Sequence, residues 1–444
     1  MGSPGRPTSG PAASMLLPAE LWMQIMESAI DYDDTVVTCA RQMREHHDML
    51  RGFALVCRGW APIAQVLLFR EVALGCTKQK TSYENYTSHD NLKSFLATME
   101  KLRTSGSRLP QTVRTLHMGI GRVGNADKGA RFDYGGALDV GRAIVSCPNL
   151  QQLDLCVGYT DDMTSDLLAL EQSTVHQLTV MKSVTHLLYS VDVIVTRNML
   201  DAASVFNILR QLLASWPDIE IMCLELPPYH GNELDDCPPM RTLRELRCSG
   251  VPPTTLLDML SEPEHQFSRL AIVDPALVPT FAAAGVTSFP EEFTVPSSTQ
   301  ELTILGDLAA YKLDFLRAQQ IKTVTWDWQS PNPPDPDAIS RIADAHLPAS
   351  IETFALSAYY VASTHAEGQL EGALTYLASE LTSLRHIILG AADDALDLFG
   401  FTREEIVTGI RTAFLDADIV WSEEPLFSGE WNTLPRPRME RLKR

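Results

Sequence analysis

The sequence is short of everything that would place it in a membrane, on a nucleic acid or outside the cell. No run among its 444 residues reaches the roughly 18 apolar residues that span a bilayer. Basic residues are scarce: 36 Lys and Arg stand against 56 Asp and Glu, a net charge of −20. Phosphate contact needs a basic face, so composition argues against a nucleic-acid binder. The first residues, "MGSPGRPTSGPAAS", contain no apolar core of a secretory signal. They have almost nothing to bury, so disorder is expected over residues 1–14. Gly2 does not make a myristoylation site, because Arg6 stands where Ser or Thr is wanted. The eight cysteines are scattered without close pairing. Without a signal, they are expected as free, mostly buried thiols in the cytoplasm and/or nucleus. "NYT" at Asn85–Thr87 is then a chance sequon. The basic tail Arg436–Arg444, within residues 426–444, reads first as a solvated end. A nuclear-import or polyanion contact is its weaker alternative.

What is present is apolar residue in quantity, 45% of the chain, enough for two or three units or for one domain plus a repeat array. A small helical unit is expected over residues 15–74. "SMLLPAELWMQIMESAI" sets Leu17, Leu21, Ile25 and Met26 at helical spacing, with Pro18 in the first turn, where its missing N–H costs nothing. Residues 31–48 are polar and break the pattern as an insert. Periodicity resumes at Leu50, Ala54, Val56 and Cys57, stops at Pro62 and continues through Ile63, Val66, Leu67 and Phe69. Three short helices follow from this, barely able to bury a core and so leaving apolar surface for a partner.

From residue 75 to 425 a template recurs: apolar, two of any kind, apolar, one of any kind, apolar. It fits Val113/Leu116/Met118, Leu150/Leu153/Leu155, Val175/Leu178/Val180, Ile219/Met222/Leu224, Leu243/Leu246/Cys248 and Phe267/Leu270/Ile272. It returns at Ile321/Val324/Trp326, Ile351/Phe354/Leu356 and Leu384/Ile387/Leu389, with a degenerate copy at Leu302 and Ile304. From Ile219 to Leu243 to Phe267 the step is constant at 24 residues. The alternation at the end of each copy is that of a short strand with one buried face. Helical patterns such as "NLKSFLATMEKL", "DAASVFNILRQLLASW", "LAAYKLDFLRAQQ" and "LEGALTYLASEL" lie between copies. Strand, turn and helix in repetition give parallel strands with crossover helices. The expected fold class is α/β: a small three-helix unit followed by an irregular leucine-rich-repeat-like solenoid.

Chemistry in the chain itself finds little support. Cys57 needs a neighbouring base to act as a nucleophile, and the nearest histidines in sequence, His46 and His47, lie in the polar insert. A buried inert thiol is the stronger reading. The pair of histidines lacks the Cys or carboxylate partners of a metal site, and Cys223, Cys237 and Cys248 have irregular gaps. "GIGRVG" at Gly119–Gly124 follows a strand as a phosphate loop would. "NADKGARFDYGG" comes next instead of a helix, so a long mobile loop is expected. "DWQSPNPPDPD" reads as a Pro-rich loop, and the carboxylate clusters read as solubilising charge. No catalytic, cofactor or metal residue is assigned, and no enzyme activity is expected.

The segments "LPAEL" (Leu17–Leu21), Ile25, "LVCRGW" (Leu55–Trp60) and Ile63 together resemble an F-box, which opens on Leu-Pro-x-Glu-Leu and closes on a Val-Cys-Arg-x-Trp segment. The continuation "APIAQVLLFREVAL" looks like F-box proteins of basidiomycete fungi in particular. The resemblance covers about an eighth of the chain, and the 31–48 insert departs from the pattern. It implies a substrate-recognition adaptor of a Skp–cullin–F-box ubiquitin ligase that does no bond chemistry itself. Its F-box would dock on a Skp-type adaptor, and through it a cullin, by way of Leu17, Pro18, Leu21, Ile25, Leu55, Val56 and Trp60. Trp60 serves equally as core plug or interface anchor. Arg58 either pairs with an acidic partner or is a solvated surface residue. The alternative is a repeat scaffold that binds protein with no ubiquitin role. In a solenoid, outward strand residues form the binding surface. Here these are Gln152, Asp154, Glu225, Arg247, Thr325, Asp327 and Ser357, a mixed polar, acid-leaning set that suits a basic or polar protein substrate.

Overall fold

The computed structural model describes residues 18–29, 40–74, 89–125, 130–159, 169–193, 202–226, 239–249, 254–262, 265–274, 292–306, 312–314, 318–327, 339, 347–366, 369–390, 400–422 and 426. Three helices come first: α1 (Ala19–Ala29), α2 (Ala40–Val56) and α3 (Ala61–Arg70). Pro18 starts α1, its carbonyl accepting from the Leu21 and Trp22 amides. Pro62 sits in the first turn of α3, where no donor is missed. The three helices share a small core of their own: Met26, Leu50, Ile63, Ala64 and Leu67.

Glu71 ends α3 in extended backbone and opens β1 (Glu71–Leu74), so the last residues of the helical unit are the first strand of the sheet. The sheet continues through β2 (Thr115–Asn125), β3 (Ala130–Gly135), β4 (Gln152–Tyr159), β5 (His186–Val193), β6 (Ile221–Glu225), β7 (Glu245–Ser249) and β8 (Arg269–Val273). Beyond β9 (Glu292–Thr294) come β10 (Glu301–Leu305), β11 (Lys312–Asp314), β12 (Thr323–Asp327), β13 (Thr353–Ser357), β14 (His386–Gly390) and β15 (Asp418–Ser422). The order β1-β2-β4-β5-β6-β7-β8-β10-β12-β13-β14-β15 is parallel throughout. Among the described strands β3 alone joins it antiparallel, and β9 pairs with β11 apart from it.

Register explains the template. One rung runs Val72, Leu116, Leu153, Leu187, Met222, Leu246, Leu270, Leu302, Val324, Phe354, Ile387, Ile419; two residues on, another runs from Leu74 to Trp421. Both rungs are apolar and face the helices. Those helices are α4 (His89–Thr104), α5 (Ala137–Val145), α6 (Gln172–Leu178), α7 (Ala202–Ser215), α8 (Thr254–Leu260), α9 (Ala358–Ala366), α10 (Leu370–Glu380) and α11 (Arg403–Ala413). The residue before each strand extends the ladder, as where the Arg114 amide donates to the Arg70 carbonyl at 2.8 Å and Gln152 to Arg114 at 2.9 Å. The fold is therefore α/β with a parallel, repeat-like sheet. In the degenerate copy Thr299, fully buried, takes the position that is apolar elsewhere.

Four expectations change. Val175–Val180 is not a strand: it lies in and just after α6, and Val180 is 72% exposed. The strand is β5, with the same spacing at Val184, Leu187 and Tyr189, all buried. An apolar pair three apart also suits a helix, and this is how the copy misleads. "GIGRVG" is no loop but the continuation of β2, which turns back as β3 with a register shift at Gly121/Arg122. The second half of the 31–48 insert belongs to α2, which begins at Ala40. "LAAYKLDFLRAQQ" contains the strand β11 rather than a helix across Lys312–Asp314. The helices α9 and α11 and the strand β15 carried no expectation at all. The terminal stretches 1–14 and 427–444, the insert's residues 31–39, and the Pro-rich stretch after Asp327 lie outside the described residues. Among the described residues no helix is long and apolar enough to cross a membrane.

Candidate functional site

Large apolar side chains in solvent are concentrated on the helical unit. Of the ten exposed among the described residues, five are here: Leu21, Ile25, Met49, Leu55 and Val56. Leu21 (43% exposed) and Ile25 (48%) lie four apart and share a face of α1. Leu55 (87%) and Val56 (62%) end α2. Trp60 does not join them in solvent. It packs its ring on Trp22 at 4.7 Å and edge-on to Phe53 at 6.1 Å, against the small core. That cluster ties the Leu21 end of α1 to the Leu55 end of α2. Pro18 is exposed, and Leu17 lies outside the described residues. Burying an exposed apolar face of this kind against a partner is favourable by about 25 cal/mol per Å².

The outward strand face is less open than expected. Gln152, Glu225, Asp327 and Ser357 are buried, and Asp154, Arg247 and Thr325 are half-buried. They stand on the sheet face opposite the helices, where apolar Cys156, Leu188, Cys223, Ala271 and Leu305 are buried as well. Buried apolar residues stand on this face too, so alternation along a strand did not mean exposure. Among the described residues neither amide atom of Gln152 has a hydrogen-bond partner.

Asp154 is held by His117, a residue the sequence did not single out. His117 Nδ1 meets Asp154 Oδ2 at 3.0 Å, and Nε2 meets Glu71 Oε1 at 3.1 Å. Burial works against the charged ring, but the two carboxylate hydrogen bonds outweigh it and raise its pKa to about 10. Both ring nitrogens donate. His186, two strands along the sheet, shows the opposite balance: burial, only partly opposed by Glu245, lowers it to about 4. Arg247 Nε donates to Glu245 at 2.6 Å, and Arg269 spans Glu245 and Glu301 at 3.9 and 2.9 Å. These pairs neutralise one another across β7, β8 and β10.

Cys57 lies ten residues beyond His47, about 15 Å along the axis of α2. Burial pushes the Cys147 thiol up to about 12, and raises Cys248 too. Cys223 and Cys248, one register step apart on β6 and β7, point to opposite faces of the sheet; Cys237 lies outside the described residues. No three His, Cys, Asp or Glu among the described residues converge as metal ligands. No protein-family model matches the chain, and no curated protein matches it.

Proposed function

We propose that the chain is a substrate-recruiting adaptor. Its helical unit docks as an F-box on a Skp-type adaptor and, through it, a cullin, while its leucine-rich-repeat-like sheet presents a protein substrate. In this reading it performs no bond chemistry and works in the cytoplasm and/or nucleus. The observation that supports it is the gathering of Leu21, Ile25, Leu55 and Val56 in solvent around the Trp22–Trp60–Phe53 cluster. A repeat array with its own core has no folding need for them, whereas a docking face does.

Co-purification of the full chain with a Skp-type adaptor tests the reading. The wild type is expected to capture the adaptor, and the doubly substituted Leu21→Asp, Ile25→Asp chain to lose it with its melting temperature within a few degrees. If the wild type captures neither adaptor nor cullin, the ligase reading fails and a repeat scaffold without a ubiquitin role replaces it.

A further inference from the structure

A second surface lies among the helices that pack on the sheet. A groove of 1110 Å³ runs between α4 and α5 and ends at α6. Its floor is apolar: Leu96, Met99 and Val145, which also pack on the main core. Its rim carries Arg103, Arg108 and Arg142 together with Glu100 and Glu171. This is the reverse of the chain's overall balance. Between Asn91 and Met118 five basic side chains (Lys93, Lys101, Arg103, Arg108, Arg114) stand against Glu100 alone, in a protein of net charge −20.

The rim is only partly neutralised, its three arginines outnumbering its two carboxylates. Arg103 donates to Glu100 through Nε and Nη2 at 3.1 and 3.0 Å, on a fully solvated surface. Glu100 is held below its ordinary pKa by the Arg103 hydrogen bond, with a smaller pull from Arg142. Arg142 reaches Asp139 only at 3.8 Å. Arg108 has no ion-pair partner among the described residues. Exposed pairs of this kind hold weakly and exchange readily for a better acceptor. An acidic chain is repelled by most of this protein's surface and attracted here, so local charge selects the occupant as well as where it lands.

We propose that the α4–α5–α6 groove docks an extended acidic segment of a partner protein, its apolar residues on the Leu96–Met99–Val145 floor and its anionic side chains on Arg103, Arg108 and Arg142. Carboxylate and phosphorylated side chains share the required chemistry, and planar guanidinium groups pair with either. The proposal does not rest on the ubiquitin reading, because it needs no adaptor.

The test uses the full chain and an array of randomised short peptides in three forms: unmodified, with phosphoserine, and with every acidic residue replaced by lysine. Bound peptides are expected to be enriched in Asp, Glu or phosphoserine beside Leu, Ile or Phe. The unmodified and phosphoserine forms separate the two anion sources, and the lysine form is expected not to bind. Arg108→Glu with Arg142→Glu is expected to lower affinity for the best peptide by about tenfold per arginine, and raised salt to weaken it. Both sites are exposed, so the melting temperature reports whether the variant still folds. Absence of acidic enrichment, equal binding of the lysine form, or unchanged affinity in a folded variant overturns the proposal. Should that variant not fold, Arg108→Gln, at a side chain that pairs with nothing described, carries the same expectation of about tenfold.

Discussion

The His117 ring reaches the Glu71 carboxylate at 3.1 Å, and Glu71 is the residue at which α3 ends and β1 begins. Its neighbour Arg70 turns the other way and pairs with Glu27 of α1. Two adjacent side chains therefore fasten the helical unit at one end and the sheet at the other. His117 carries the bond onward to Asp154, so one imidazolium spans β1, β2 and β4.

His117→Gln removes the charge between two carboxylates and is expected to destabilise the protein by about 3–5 kcal/mol. The pH dependence gives the sharper check. The folded pKa is about 10 and the unfolded one about 6.5. Below about 6.5 both states hold the proton and the full contribution is present. As pH rises the unfolded state releases its proton first, so stability declines and this contribution is gone once pH passes about 10. The wild-type melting temperature is expected to fall across this window, and the variant's to fall markedly less. Parallel profiles would mean that the ring is neutral and the bridge is not ionic.

Gly141 and Gly372 both lie in helices, yet the same substitution is expected to act with opposite sign. A Cβ at Gly141, in α5, would sit 2.5 Å from Thr174 Cγ2 on α6. Thr is stiff at χ1, so the helices must part, and Gly141→Ala is expected to cost about 1–3 kcal/mol. A Cβ at Gly372, in α10, meets nothing within 4 Å, so Gly372→Ala is expected to gain about 0.5–1 kcal/mol from helix propensity alone. Urea titration of both, with Thr174→Ser added to the Gly141 variant to relieve the contact, checks the pair. Stabilisation by Gly141→Ala alone would show that α5 and α6 do not approach so closely.

The sheet was legible because each strand repeats a rung: Leu153, Leu246 and Ile387 are interchangeable by position and differ only in sequence context. The copy at Val175 shows the limit, since apolar residues three apart satisfy a helix equally well. The buried strand face was not legible. Gln152 and Glu225 alternate with apolar residues as solvent-facing positions do, and only the three-dimensional structure shows that they are buried. His117 was missed because its two partners come from strands 46 and 37 residues away in sequence. The groove was missed because Arg142 lies 34 residues beyond Arg108 in sequence, and only the fold brings it to the same rim.

Trp60 and the Leu55–Val56 pair are neighbours in sequence with different roles, and substitution separates them. Trp60 packs on Trp22 and Phe53 in the small core, where few residues share the load. Trp60→Ala is expected to cost the helical unit about 3 kcal/mol, read as faster amide exchange across α1–α3 with the β4–β8 amides unchanged. Leu55→Ser with Val56→Ser removes side chains that are already in solvent, so stability is expected to change by no more than about 0.5 kcal/mol. On the proposed adaptor reading the same double substitution is expected to abolish adaptor capture, because it removes the exposed apolar pair from the docking face. Exchange in α1–α3 accelerated as much by the serine pair as by Trp60→Ala would make Leu55 and Val56 structural, and the docking face would have to lie elsewhere.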